Sequence, residues 1–142
     1  MENTISTDEM RRIVIDTNCL LAILPSKSPY HKVWTEFLSR QLEICASNEI
    51  LLEYEEIISE KTSPAFAEAI IKTLINMPNF IRVYPTWRFG YIVTDPDDNK
   101  FVDCAICGRA ELLISNDKHF NVLKDIGFPY VKVLRIQDFV QP

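Results

Sequence analysis

The hydrophobic residues of this chain follow two alternating patterns. Short apolar runs that end at polar residues alternate with longer segments in which apolar residues recur every three or four positions. The first pattern is typical of buried parallel strands, and the second is typical of helices that pack against a sheet. The predicted strands are 13–15, 42–46, 80–84, 112–115 and 130–134. The predicted helices are 19–24, 30–42, 50–58, 64–77, 95–109 and a short one that ends at Leu123.

Local signals support several of these boundaries. Pro25 stops the first helix, Ser47 is a good N-cap, and Pro64 suits the first turn of a helix. The alternation predicts an α/β protein, a three-layer α/β/α domain with a five-stranded, mainly parallel sheet and right-handed crossovers. Residues 1–10 are expected to form a flexible N-terminal arm, and residues 11–142 a single domain.

Composition agrees with one globular domain. The chain has 142 residues, of which 47% are hydrophobic and 25% charged. No apolar run approaches the roughly 20 residues that a membrane span needs, and the polar N-terminus lacks a secretory signal, so we expect no membrane association and a cytoplasmic location. The cysteines lie in apolar stretches and are expected to be buried thiols. Cys104 and Cys107 have CxxC spacing but lack a second ligand pair, which argues against zinc.

Acidic residues recur near the ends of the predicted strands. Asp16 follows the first strand and Asp117 the fourth, Glu53 lies in the helix after the second strand, and Asp98 opens the helix after the third. The carboxyl ends of parallel strands share one edge of a sheet, so we expect these four side chains to meet. Each has an ordinary alternative, since Asp16 or Asp98 could cap a helix and Asp117 could sit in a turn. Clustered carboxylates require a cation or raised pKa values, so together they indicate a metal site.

The net charge of −5 argues against a general nucleic-acid-binding surface. Four of the acids belong to the expected cluster, however, and bound divalent cations would offset most of that charge. Lys118 and His119, directly after Asp117, could contact a phosphate. Lys100 is a further candidate for such a contact, although a solvated surface charge is its ordinary interpretation.

Four sequence motifs together resemble the PIN-domain family, the metal-dependent ribonucleases that include the VapC-type toxins of bacterial toxin–antitoxin systems. The matching segments span roughly Ile13 to Phe120 and are VIDTNCL at 14–20, SNEILLEY at 47–54, DPDDNKFVDCAICGRAELLISND at 95–117, and the KHF that follows. The resemblance places the family's acids at Asp16, Glu53, Asp98 and Asp117. Asp103 matches a further acidic position in the subgroup with a DDNKF-type helix.

The resemblance implies a metal-dependent endoribonuclease that is neutralised by a separate antitoxin and forms a homodimer. Its catalytic residues would be Asp16, Glu53, Asp98 and Asp117, and Mg²⁺ or Mn²⁺ would be held by Asp16, Asp98, Asp103 and Asp117. The residues expected to orient ligands or contact substrate are Asn18, Ser115, Asn116, Lys118 and His119. Carboxylates that hold divalent ions can activate a water and neutralise the charge of a phosphoryl transition state, so the chemistry agrees with RNA hydrolysis.

Two other functions compete with this hypothesis. A degenerate domain could bind RNA or protein without cutting, and the complete acidic set argues against it. A phosphoacceptor module like the response-regulator receivers also gathers acids and Mg²⁺ at strand ends. It would need paired acids after the first strand and an acceptor aspartate after the third, and the sequence has neither.

Overall fold

The computed structural model describes residues 10–127 and 129–141 and contains one parallel sheet. Its strands are β1 Arg11–Ile15, β2 Leu42–Ala46, β3 Phe80–Arg82, β4 Leu112–Ile114 and β5 Val133–Leu134. They lie in the order β3-β2-β1-β4-β5, and each neighbouring pair is parallel. The α-helices are α1 Thr17–Ile23, α2 His31–Leu38, α3 Asn48–Lys61, α4 Pro64–Asn76, α5 Asn99–Cys107 and α6 Ile136–Phe139. Two 3₁₀ segments cover Pro96–Asp98 and Lys118–Asp125.

The central strand shows that both faces of the sheet are covered. Ile13, Val14 and Ile15 of β1 are each fully buried. Successive side chains of a strand point to opposite faces, so complete burial of three in a row requires packing on both sides. Side chains on the helices, among them Leu20 and Tyr54, complete this core. The predicted α/β/α architecture is therefore confirmed, and the sheet is wholly parallel rather than mainly so.

The strands that flank β1 are each preceded by a helix with the same kind of ending. After α2, Arg40 adopts a φ of 61°, and the N–H of Gln41 donates to the carbonyl of Glu36. After α5, Arg109 adopts a φ of 56°, and the N–H of Ala110 donates to the carbonyl of Ala105. This is the Schellman arrangement, which usually has glycine at the left-handed position. It turns the chain sharply from each helix into β2 or β4.

Several boundaries differ from those predicted. Helix α2 ends at Leu38 because the turn at Arg40 stops it, and the third and fifth strands are shorter than expected. The sequence pattern did not predict α6, which has only four residues and no side-chain N-cap. Of the expected N-terminal arm, residues 1–9 lie outside the described part of the chain. None of the described helices is long and apolar enough to cross a membrane.

Candidate active site at the carboxyl edge of the sheet

The four predicted acids all line one cavity at the carboxyl edge of the sheet, together with Glu56, Glu60 and Asp97. Asp16 directly follows β1, and Asp117 comes three residues after the end of β4. Asp98 ends the 3₁₀ turn that precedes α5, while Glu53 lies in the second turn of α3, the helix that follows β2. All four border a cavity of about 470 Å³. The parallel sheet thus brings together residues that are up to 101 positions apart in sequence.

Ser115 connects two of these acids. Its hydroxyl donates a hydrogen bond to Oδ2 of Asp16 and accepts one, at 3.0 Å, from the backbone N–H of Asp117. Oδ1 of Asp16 accepts from the N–H of Cys19 at 2.8 Å, so Asp16 is also the N-cap of α1. Both Asp16 and Ser115 are buried. The serine and the helix cap together fix the Asp16 carboxylate, and the serine holds the start of the segment that carries Asp117.

His119 lies among three carboxylates. Its Nδ1 is 3.2 Å from Oδ2 of Asp98, 3.3 Å from Oδ1 of Asp117 and 3.5 Å from Oδ2 of Asp95. Asp98 makes no side-chain cap bond to α5, so its carboxylate is available to this group. Ligand atoms of Asp95, Asp98 and His119 all lie within 4.8 Å of one another. When it is protonated, the imidazole of His119 therefore places one positive charge close to three carboxylates.

Burial and mutual repulsion perturb these groups. Burial raises the pKa of the Asp16 carboxyl, and Asp117 adds to the rise, against hydrogen bonds from Ser115 and Cys19 that lower it. Partial burial likewise raises the pKa of Asp98; Asp95 and Asp117 add to that rise, and the hydrogen bond with His119 opposes it. The same hydrogen bond raises the pKa of His119. Negative charge at this edge is thus only partly compensated by the protein itself.

Glu53 is held at the margin of the cavity by two donors. Its Oε2 accepts from the hydroxyl of Thr17, and its Oε1 lies 2.7 Å from Nζ of Lys100. The same ammonium is 2.8 Å from Oδ2 of Asp97, and its side chain is only 8% exposed. Burial alone would lower the pKa of Lys100, but its bonds to Asp97 and Glu53 outweigh that effect and raise it. Lys100 is thus a buried structural cation, and its interpretation as a solvated surface charge was wrong.

The donor set suits a hard divalent cation. The cavity offers the carboxylate oxygens of Asp16, Asp98 and Asp117, with Asp95 and the imidazole of His119 beside them. Mg²⁺ and Mn²⁺ prefer such oxygen ligands. A cation would also relieve the repulsion that raises the pKa of Asp98. The residues present therefore fit Mg²⁺ or Mn²⁺.

Comparison with known proteins agrees with this geometry. A family model described as PIN domain matches residues 12–119, a span that includes the four predicted acids. The chain belongs to the PIN-domain family. The fold of this PIN domain is similar to that of VapBC2 from Rickettsia felis, solved bound to a DNA fragment from its promoter, with a TM-score of 0.59 and 18% identity over 87% of this chain and 98% of that one. No curated protein sequence matches the chain significantly.

One expected metal ligand of the PIN domain lies apart from the others. Asp103 is buried, and its Oδ1 accepts from the backbone N–H of Phe89 at 3.0 Å. It comes one turn after Asn99, whose side chain exchanges two hydrogen bonds with the backbone of Ile92. Residues four apart share a helix face, so both side chains point toward the segment that joins β3 to α5. Asp103 therefore holds this segment in place, and it is not among the residues that line the acidic cavity.

The remaining predicted residues occupy different positions around the site. Asn18 is exposed and borders the acidic cavity. Asn116 points its Oδ1 to the backbone N–H of Ile136, at 3.0 Å, and so holds the start of α6. Lys118 is exposed beside Asp117, in a second cavity. Ser115 and His119 are in direct contact with the acids, as described above.

The sequence did not predict the roles of three residues at the site. Asp95 contributes a carboxylate near His119, Thr17 orients Glu53, and Lys100 bridges Glu53 to the 3₁₀ turn. The spacing of Asp97 and Lys100, three residues apart, was a local signal for their ion pair. The contacts to Glu53 depend on how α3 packs against α1 and α5, which no local pattern encodes.

Proposed function

We propose that this PIN domain is a metal-dependent endoribonuclease of the cytoplasm and the toxin of a toxin–antitoxin pair. The observation that carries the proposal is that Asp16, Asp98 and Asp117, from three separate segments, line one cavity. A protein gains no stability from gathering repelling acids, so a site that takes a cation is the physical reason for the cluster. Membership of the PIN-domain family and the shared fold with VapBC2 support the same function.

Asp16, Asp98 and Asp117 would hold Mg²⁺ or Mn²⁺, with Asp95 at the side of the group. When bound, such an ion offsets the charge that develops on the phosphate and makes a nucleophilic water available near neutral pH. The hydrogen bond from Ser115 fixes the orientation of the Asp16 carboxylate, so this side chain does not have to move when an ion binds. Fixed groups of this kind contribute to catalysis because their orientation is set before the reaction.

Glu53 and His119 would act on the substrate side of the cavity. Thr17 and Lys100 occupy one site on each carboxylate oxygen of Glu53 and fix its direction, while further lone pairs stay open for the attacking water. We assign Glu53 the acceptance of a proton from that water. His119 is exposed enough to reach a phosphate oxygen, and its raised pKa favours the charged donor form.

The proposed partners are RNA as substrate, a separate antitoxin protein and a second copy of this chain. The similar VapBC2 structure was solved on promoter DNA, which motivates a search for a small antitoxin-like reading frame beside this gene. Expression of the chain alone should slow bacterial growth, and Asp98→Asn should relieve that effect. Equal growth inhibition by wild type and Asp98→Asn would contradict a nuclease toxin.

An RNA-binding or protein-binding module without activity is the alternative function. A test against it is incubation of the purified protein with mixed RNAs in Mg²⁺, Mn²⁺ or EDTA. We expect internal cleavage with at least one metal and none in EDTA. Intact RNA under every metal, with RNA binding retained, would favour the binding module.

A further inference from the structure

A second cavity adjoins the acidic one at Asp117. It has a volume of about 350 Å³ and lies between the ends of β4 and β5, the 3₁₀ segment 118–125 and α6. Its polar lining outside the acidic site consists of Asn116, Lys118, Asn121, Lys124, Arg135 and Asp138. Asp117 borders both cavities, so a ligand that extends along the carboxyl edge of the sheet would pass from one into the other.

The charge of this second cavity is opposite to that of the first. Lys118 and Lys124 are exposed, and neither forms an ion pair within residues 10–127 and 129–141. Arg135 is 3.3 Å from Asp138, but both side chains are at least half exposed, so solvent weakens this pair. Three cations thus face one acid, apart from Asp117, in a chain whose net charge is −5.

The cavity also provides neutral hydrogen-bond donors. The Oδ1 of Asn116 is occupied by the backbone N–H of Ile136, so the amide group of this side chain has its N–H donors left for a ligand acceptor. Asn121 lines the same wall. Lysine and amide donors are the groups that contact phosphate oxygens in nucleic-acid complexes. A cavity of this size falls in the range that holds a group as large as a nucleotide.

We propose that this second cavity, bordered by Lys118, Lys124 and Arg135, binds the phosphodiester backbone of the RNA strand next to the bond that is cut. This inference rests on the proposed nuclease function and adds to it the path of the substrate. A polyanion is repelled by an acidic cluster, so its neighbouring phosphates need cations close by. Lys118 follows Asp117 in the chain, and Lys124 borders the same cavity.

The test measures binding of a fluorescently labelled single-stranded RNA across a salt series, in an Asp98→Asn background and in EDTA, so that cleavage is suppressed. Lys118→Gln, Lys124→Gln and the double variant are compared with Lys72→Gln, a lysine that pairs with Glu68 on α4. Each phosphate contact contributes about 0.7 to the slope of log affinity against log salt for single strands. The double variant should lose about 1.4 from that slope and bind more weakly at low salt, with an unchanged melting temperature. Lys72→Gln should match the parent.

A DNA strand of the same sequence separates backbone binding from recognition of the ribose. The loss should be the same for DNA, because both strands carry the same phosphates. An unchanged slope in the double variant, a loss equal to that of Lys72→Gln, or a loss confined to RNA would overturn the inference.

The nuclease proposal is judged separately with the Lys118→Gln/Lys124→Gln variant in an otherwise wild-type chain. If the wild type cleaves RNA and this variant cleaves with the same KM, the cavity inference fails while the function stands. If neither the wild type nor the variant cleaves but the slope falls, the nuclease function fails, and the cavity remains a phosphate-binding site without a place beside a cut bond.

Discussion

Ser115 donates a hydrogen bond to Asp16 across two neighbouring strands. Each residue directly follows a strand, and the preceding residues, Ile114 and Ile15, are paired in the register of β4 and β1. The contact is therefore a consequence of sheet register, and the fully buried apolar strands set that register. The position of the candidate site is fixed by the core of the protein.

The first prediction concerns metal-linked stability. Mg²⁺ or Mn²⁺ at about 100 times its dissociation constant should stabilise the wild type by about 2.7 kcal/mol. That corresponds to a rise in melting temperature of about 5–10 °C for a chain of this size. Asn is as good an N-cap as Asp, so Asp16→Asn should keep α1 but lose most of the metal effect. Thermal melting with and without metal checks this, and an equal shift in both proteins would count against a shared site.

The second prediction concerns pH in the absence of metal. Folding raises the pKa values of Asp16 and Asp98 above 3.8 and that of His119 above 6.5. Groups with a raised pKa bind protons more tightly in the folded state, so the protein gains stability as pH falls through those values and loses it as pH rises through them. The His119 contribution is complete below 6.5 and disappears above its folded pKa.

In EDTA, the wild type should therefore melt at a higher temperature at about pH 6 than at about pH 8. His119→Gln should reduce that difference. With Mg²⁺ the trend should weaken or reverse, because protons compete with the ion for the carboxylates. A melting temperature that depends on pH equally in wild type and His119→Gln would contradict the place given to this imidazole.

The third prediction concerns the buried ammonium of Lys100. Lys100→Met fills similar volume but leaves the part-buried Glu53 with Thr17 as its hydrogen-bond donor. Loss of one partner of a buried pair is costly, and the partial exposure of Glu53 reduces the cost, so we expect a loss of about 1–3 kcal/mol in the free energy of unfolding. Lys72→Met, which breaks the exposed pair with Glu68, should cost less than about 0.5 kcal/mol. Denaturant unfolding distinguishes them, and equal effects would show that Lys100 is not a structural cation.

The fourth prediction separates Asp103 from the metal ligands. Asp103→Asn keeps an acceptor for the N–H of Phe89, whereas Asp103→Ala removes it and should cost about 1–2 kcal/mol of stability. Both variants should retain the metal-induced rise in melting temperature that Asp98→Asn loses. Loss of that rise in Asp103→Asn would return this residue to the metal site, as its sequence resemblance implies.

Local signals explain why the sequence predicted so much of the fold and site. Apolar runs mark the strands, the residues after them mark strand ends, and the parallel topology joins those ends at one edge, so Asp16 and Asp117 could be found without coordinates. The position of Asp103 could not, because the face of α5 that meets the β3–α5 segment is set by hydrogen bonds to Phe89 and Ile92. The Glu53–Lys100 pair likewise depends on helix packing between residues 47 positions apart.

The most direct test of the central claim is the rate of RNA cleavage by wild type, Asp98→Asn and Asp103→Asn at saturating Mg²⁺ or Mn²⁺. Each substitution removes one negative charge from an aspartate of the same helical region, but only Asp98 borders the acidic cavity. The Asp98→Asn rate should fall by about 10²–10³, as expected for loss of a preorganised electrostatic group, while Asp103→Asn should stay within about tenfold of wild type. Cleavage by Asp98→Asn at the wild-type rate would contradict the assignment of this acidic cluster as a nuclease centre.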